Sequence, residues 1–232
     1  MASSSIPEWT ELNQKKGLDP LGMQTSSVNL YATLLPGISN VTLRVRYYGL
    51  YTWLSQSYAH HIGDTNPERW QQFLRRSEAL YALIGRAHGN ETGIAGDVWA
   101  GKEFENENNE QIDIAAGADP GQLTHYLKQP WGAYGAAYKG QLFETGLFAE
   151  VEGQEIPVPG PEFGDEVAKA FSESVCTSSE KFLEIVERGV VSRAELDDLI
   201  NFAPSEIAED SRERDWYERI LFAKAGLERD SD

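Results

Sequence analysis

Residues 42–62 read TLRVRYYGLYTWLSQSYAHHI, a helix-length stretch holding four Tyr, one Trp and two Arg. Leu43, Tyr47, Leu50, Leu54, Tyr58 and Ile62 recur at three- and four-residue spacing, which predicts a helix with that stripe in the core. Tyr48, Tyr51 and Trp53 fall off the stripe. A surface helix keeps one face polar, so aromatic side chains elsewhere around this one predict cover on several sides, from its own domain or from a partner. Asn40 or Thr42 stands where an N-cap is needed.

The next segment, TNPERWQQFLRRSEALYALIGRAHG at 65–89, carries the punctuation of a second helix. A polar cap precedes Pro67 at the first helical position, and Gly89 stands where a C-terminus takes a left-handed residue. Trp70, Phe73, Leu74, Leu80, Tyr81 and Ile84 form its apolar stripe, with Gln71, Gln72, Arg75 and Arg76 facing away. The short Gly63-Asp64 link predicts an antiparallel helical hairpin over residues 42–88.

Upstream, Pro7, Gly17, Pro20 and Gly22 predict an extended arm and turns over 1–23, then a short helix capped by Thr25 or Ser26 and ending before Pro36-Gly37. Downstream, Asn90 to Asp119 is rich in Gly, Asn and Glu and reads as a long, partly mobile excursion. A short helix near Gly121–Lys128 follows, then one from Trp131 to Phe148 whose small residues imply close approach of another backbone. AEVEGQEIPVPG, 149–160, alternates across a Glu-Gly turn and reads as a hairpin. Helices are expected over 162–175, 179–188, 192–201 and 211–225, with Ser192 and Glu195 as a capping box and Gly189 and Gly226 as stops. The expected fold is mainly α, a bundle of about seven to nine helices with one small β-hairpin. It divides into an N-terminal helical domain, 1–148, and an acidic helical region, 149–232, packed on the same core or standing beside it.

At 232 residues the chain buries a sizeable core without disulfides. Its one cysteine, Cys176, forms no internal bridge, which suits a reducing compartment. No apolar run reaches bilayer length, and MASSSIPEW lacks a signal-peptide pattern, so the expected location is the cytoplasm and no membrane partner is expected. The formal charge of −17 is uneven: residues 1–100 hold eight basic and eight acidic residues, leaving 12 of the 20 basic and 29 of the 37 acidic ones beyond. An acidic surface opposes sequence-independent phosphate binding.

Chemical motifs are few. His60 and His61 fall at one end of the helical hairpin and His88 at the other, with His125 elsewhere, so an imidazole cluster is not expected. Gly132, Gly135 and Gly140 lie in a helical pattern rather than after a strand, which fails the dinucleotide-loop context. The carboxylates between Asp97 and Asp113 lack the order of a calcium loop, and the acidic short helices after Gly189 are poor DNA readers. No cofactor, metal or catalytic residue is indicated. Arg44, Arg46, Arg69, Arg75, Arg76 and Arg86 make the hairpin the basic part of the chain. They are read either as ion-pair partners of the acidic second part or, with the nearby aromatic rings, as a surface for phosphates, bases or a protein. The residues singled out as partner contacts are Arg44, Arg46, Tyr48, Trp53, Arg75 and Arg76.

The run GLDPLGMQTSSVNLYATLLPGISNVTLRVRYYGLYTWL, Gly17 to Leu54, resembles the opening of uncharacterised prokaryotic proteins associated with phage-defence and restriction-type gene neighbourhoods. It covers about a sixth of the chain and brings no catalytic residue with it. The resemblance implies a multi-component setting. The expected function is a non-enzymatic protein-interaction or assembly module whose partner is a protein or a second copy. A nucleic-acid-binding module using the arginines, and a hydrolase with a site assembled across the fold, are the alternatives.

Overall fold

The computed structural model describes residues 27, 30, 42, 44–89, 91, 93–105, 110–121 and 126–224, with the backbone alone for 222–224. The arm over 1–23, the first short helix apart from Ser27 and Leu30, which are helical, the LDPLGMQ and LPGISN turns, His125 and Gly226 lie outside these residues.

The two helices of the predicted hairpin are α1, Arg46–His61, and α2, Pro67–Ala87. Pro67 begins α2, and the Asn66 side chain accepts from the Glu68 and Arg69 amides, the cap that the sequence pattern called for. They run antiparallel: Tyr58 meets Trp70 and Phe73, Tyr51 meets Glu78, and Tyr47 meets Tyr81. Aromatic rings fill the space between them.

Twelve of the 16 residues of α1 are buried, so its stray aromatic residues are covered by the fold itself. One side turns Trp53 onto Phe171, Phe182 and Phe202, and the other turns Tyr47 and Tyr51 onto Tyr134 and Tyr138. The helix at the first face is α6, Gly164–Val175, and Gly49 lets it come close. A β-carbon at Gly49 would lie 2.8 Å from the Phe171 ring and 2.0 Å from the Tyr217 hydroxyl. Gly49→Ala gains helix propensity, yet it is expected to lose about 1–3 kcal/mol net through overpacking. Tyr217→Phe in the same chain returns part of that loss by removing the oxygen in the way. A thermal melt of Gly49→Ala matching or exceeding the parent protein would refute this packing.

The remaining elements are α3 (Asp97–Glu105), β1 (Gln111–Asp113), α4 (Ile114–Ala118), a π-helical segment (Tyr134–Tyr138) running into α5 (Lys139–Glu144), β2 (Phe148–Val151), β3 (Gln154–Pro159), then α6, α7 (Ser179–Arg188), β4 (Val190–Ser192), α8 (Arg193–Asp197), a 3-10 turn (Ile200–Phe202) and α9 (Arg212–Lys224). The protein is mainly α with two small antiparallel strand pairs among the described residues. The predicted hairpin is there as β2 and β3, turning at Glu152-Gly153, and the Ser55 hydroxyl donates to the Pro157 carbonyl to tie it to α1.

The second pair was not expected. β1 opposes β4, with Ile112 across from Val191, and both side chains are buried. This corrects the reading of 90–119 as an open excursion: where it is described, the segment holds α3, β1 and α4, with Trp99, Ile112 and Ile114 in the core. The expectation for the small residues after Trp131 is corrected in part: Gly135, Ala136 and Gly140 are exposed, while Gly132 and Ala133 are buried beside the Glu78 side chain rather than another backbone. One core runs from Tyr47 to Ile220 and crosses position 148 without a break.

Candidate functional site

Helix α2 is buried on most of its circumference, and that places two charged side chains of its middle turns, Arg75 and Glu78, in the interior. Arg75, expected to face away, donates to the carbonyls of Ala118, Leu127, Gln129 and Pro130. It holds down the chain between α4 and the π segment, and its guanidinium lies 5.2 Å from the Tyr126 ring centre.

Glu78 is fully buried. Its carboxylate accepts from the Tyr51 hydroxyl at 2.6 Å and from the Ala133 and Tyr134 amides at 2.9 and 2.7 Å. Those amides open the helix that contains the π segment, so their dipoles point at the negative charge. Gly132 has φ +59°, and a β-carbon there would lie 2.0 Å from Glu78 Oε2, so the turn needs glycine on both counts. Burial pushes the Glu78 carboxyl up to about 7, against the pull of its three donors and Arg75. Burial first, and then the Glu78 charge, keep the Tyr51 phenol protonated far above its ordinary range.

A second buried pair joins the two parts of the chain. Arg46 and Glu213 are both within 1% of full burial and meet at 2.8 and 3.1 Å through two parallel contacts. Arg46 also donates to the Ala203 carbonyl, and Tyr217 donates to Glu213 at 2.9 Å. Burial works against the Arg46 charge, and the Glu213 carboxylate outweighs it, leaving the guanidinium pKa raised.

The six residues read as partner contacts therefore separate. Arg46, Tyr48, Trp53 and Arg75 lie in the interior, because their rings and guanidinium groups fill space between α1, α2, α6 and the π segment. Arg76 is half-buried, pairs with Asp119 at 2.6 Å and donates to the Val186 and Glu187 carbonyls at the end of α7. Arg44 is partly exposed and stands 3.7 Å from Glu91. Of the two readings given to the arginines, the internal one describes Arg46 well: its partner, Glu213, belongs to the acidic second part. The sequence reading missed Glu78 and Glu213. A signal was there, since Glu78 is four residues after Leu74 and three before Tyr81, on the buried stripe itself.

His60 and His61 are exposed at the end of α1, and His88 Nε2 lies 2.8 Å from the Leu196 carbonyl. Among the described residues, no group of three or more His, Cys, Asp or Glu side chains is arranged to hold a metal ion. Among them, too, no helix is long and apolar enough to cross a membrane.

One open feature among the described residues is a groove of about 450 Å³ between α2 and α7, at the C-terminal end of α1. Ile62, Phe73, Leu183 and Val186 form its floor, Arg69, Gln72 and Arg76 one rim, and Glu180, Glu184 and Glu187 the other. Comparison of the chain with family models, curated proteins and solved structures finds no match.

Proposed function

We propose that the chain is a protein-interaction or assembly module, working as one component of a prokaryotic defence system and acting in the cytoplasm. The observation that supports it is the division of labour between interior and surface. Glu78, Arg75, Arg46 and Glu213, the charged groups best suited to acid–base or phosphate chemistry, are bound to internal partners, while the α2–α7 groove offers an apolar floor between charged rims. Such a surface suits a macromolecular contact. The defence setting rests on the resemblance of residues 17–54. The nucleic-acid alternative drew on Arg44, Arg46, Arg69, Arg75, Arg76 and Arg86, and of these Arg46, Arg75 and Arg76 spend donors inside the fold.

Purification of the natively expressed protein at low and at high salt, with identification of what co-elutes, tests the reading. A protein complex of fixed stoichiometry that survives high salt is the expected result. Nucleic acid released as salt rises would move the assignment to a nucleic-acid binder. A bare monomer in both conditions would sink the module reading.

A further inference from the structure

We infer that the α2–α7 groove receives a basic amphipathic helix from a protein partner. The inference rests on the interaction-module reading above and specifies the partner's chemistry. Charge left unpaired along one rim of the groove supports it. On the α2 rim, Arg69 is paired with Asp64 at 2.8 Å, and Arg76 is held by Asp119. On the α7 rim, Glu180, Glu184 and Glu187 are exposed, and among the described residues none of their three carboxylates has an ion pair or hydrogen bond. The groove thus presents a cationic rim already neutralised and an anionic rim that is not.

The spacing points to a helix. Glu180, Glu184 and Glu187 lie along two turns of α7, about 10 Å at 1.5 Å per residue, and Arg69 to Arg76 spans the same length of α2. Between them Leu183 and Ile62 are half-buried, with Phe73 and Val186 beneath. An occupant with apolar side chains at i, i+3 or i+4 and i+7 would cover that floor, and Lys or Arg along one flank would meet the three carboxylates. Arg76 fixes the end of α7 to α2 through the Val186 and Glu187 carbonyls, so the groove is preformed.

The test uses the full chain and a fluorescent Leu/Lys amphipathic peptide of about four turns, with a Leu/Glu peptide of the same pattern as comparison. Because the whole protein is acidic, net charge must be separated from the groove. Glu184→Lys with Glu187→Lys is expected to weaken Leu/Lys binding about tenfold, whereas Glu152→Lys with Glu155→Lys, the same charge change on the exposed hairpin, weakens it less than about threefold. Leu183→Asp adds negative charge yet is expected to weaken binding, because it spoils the floor. Thermal melts check that each variant is folded, and the surface substitutions carry the test if Leu183→Asp is not. Equal losses from both charge reversals, or equal binding of the Leu/Glu peptide, would overturn the inference. The native purification repeated with the Glu184→Lys, Glu187→Lys protein keeps the two claims apart. A partner retained by that variant removes the groove and leaves the module reading; no partner on either protein removes the module reading itself.

Discussion

Replacing Arg46 by leucine is expected to cost the fold about 3–5 kcal/mol, the largest loss we expect from any single surface-remote substitution here. The Glu213 carboxylate, 1% exposed, would be left without the guanidinium that compensates its burial. Glu213→Leu should cost a similar amount for the mirror reason, with the Tyr217 hydroxyl and the guanidinium both losing their acceptor. The double substitution leaves no buried charge, so its loss should be well below the sum of the two. For a chain of this size, 3–5 kcal/mol is a fall of roughly 10 °C in melting temperature. Denaturant unfolding of the four proteins measures the coupling directly. Additive losses would mean that the pair does not act as a unit, and single losses under about 1 kcal/mol would mean that water reaches the site.

The same pair separates what could be read in the sequence from what could not. Local grammar sufficed for the helical hairpin, because Asn66, Pro67 and the three- and four-residue stripes specify α1 and α2 from neighbours a few positions apart. It sufficed equally for the β2–β3 hairpin and for the capping box, where Ser192 accepts from the Glu195 amide and Glu195 accepts from the Ser192 amide. Arg46 and Glu213 are 167 positions apart, and with 37 acidic residues to choose from, nothing in the pattern selects the partner. The β1–β4 pairing is hidden for a related reason. Each strand is three residues long, and Ile112 shows its partner only when Val191 comes beside it.

The aromatic content of α1 illustrates a subtler limit. Composition correctly signalled a helix touched on several sides, and the touching faces are its own α6, α7 and π segment. An arginine among aromatic rings looks the same in sequence whether it anchors a partner or a core. Burial decides, and burial belongs to the fold. The groove, by contrast, joins residues 61–76 to residues 180–187, so its charge asymmetry exists only after α7 has packed on α2.

Stability should fall with rising pH through neutrality, and Glu78 should carry much of that fall. Its carboxyl is pushed up to about 7 from an ordinary 4.5, first by burial, so the folded state holds a proton that the unfolded chain has released. The sign follows. The proton's contribution is fully present below about pH 4.5 and is lost as pH rises through about 7. A difference of that size corresponds to about 3 kcal/mol over the whole window. Glu78→Gln cannot titrate, so it should flatten this part of the profile, although it costs stability everywhere by forcing an amide among three donors. Unfolding free energies of both proteins at pH 4.5, 6, 7 and 8 cancel every group they share and leave the Glu78 contribution as their difference. A difference that does not change with pH would show that the Tyr51 hydroxyl and the Ala133 and Tyr134 amides hold the carboxylate ionised throughout. A difference shrinking by about 3 kcal/mol toward pH 8 would instead mark the junction of α2 with the π segment as held most firmly below neutral pH.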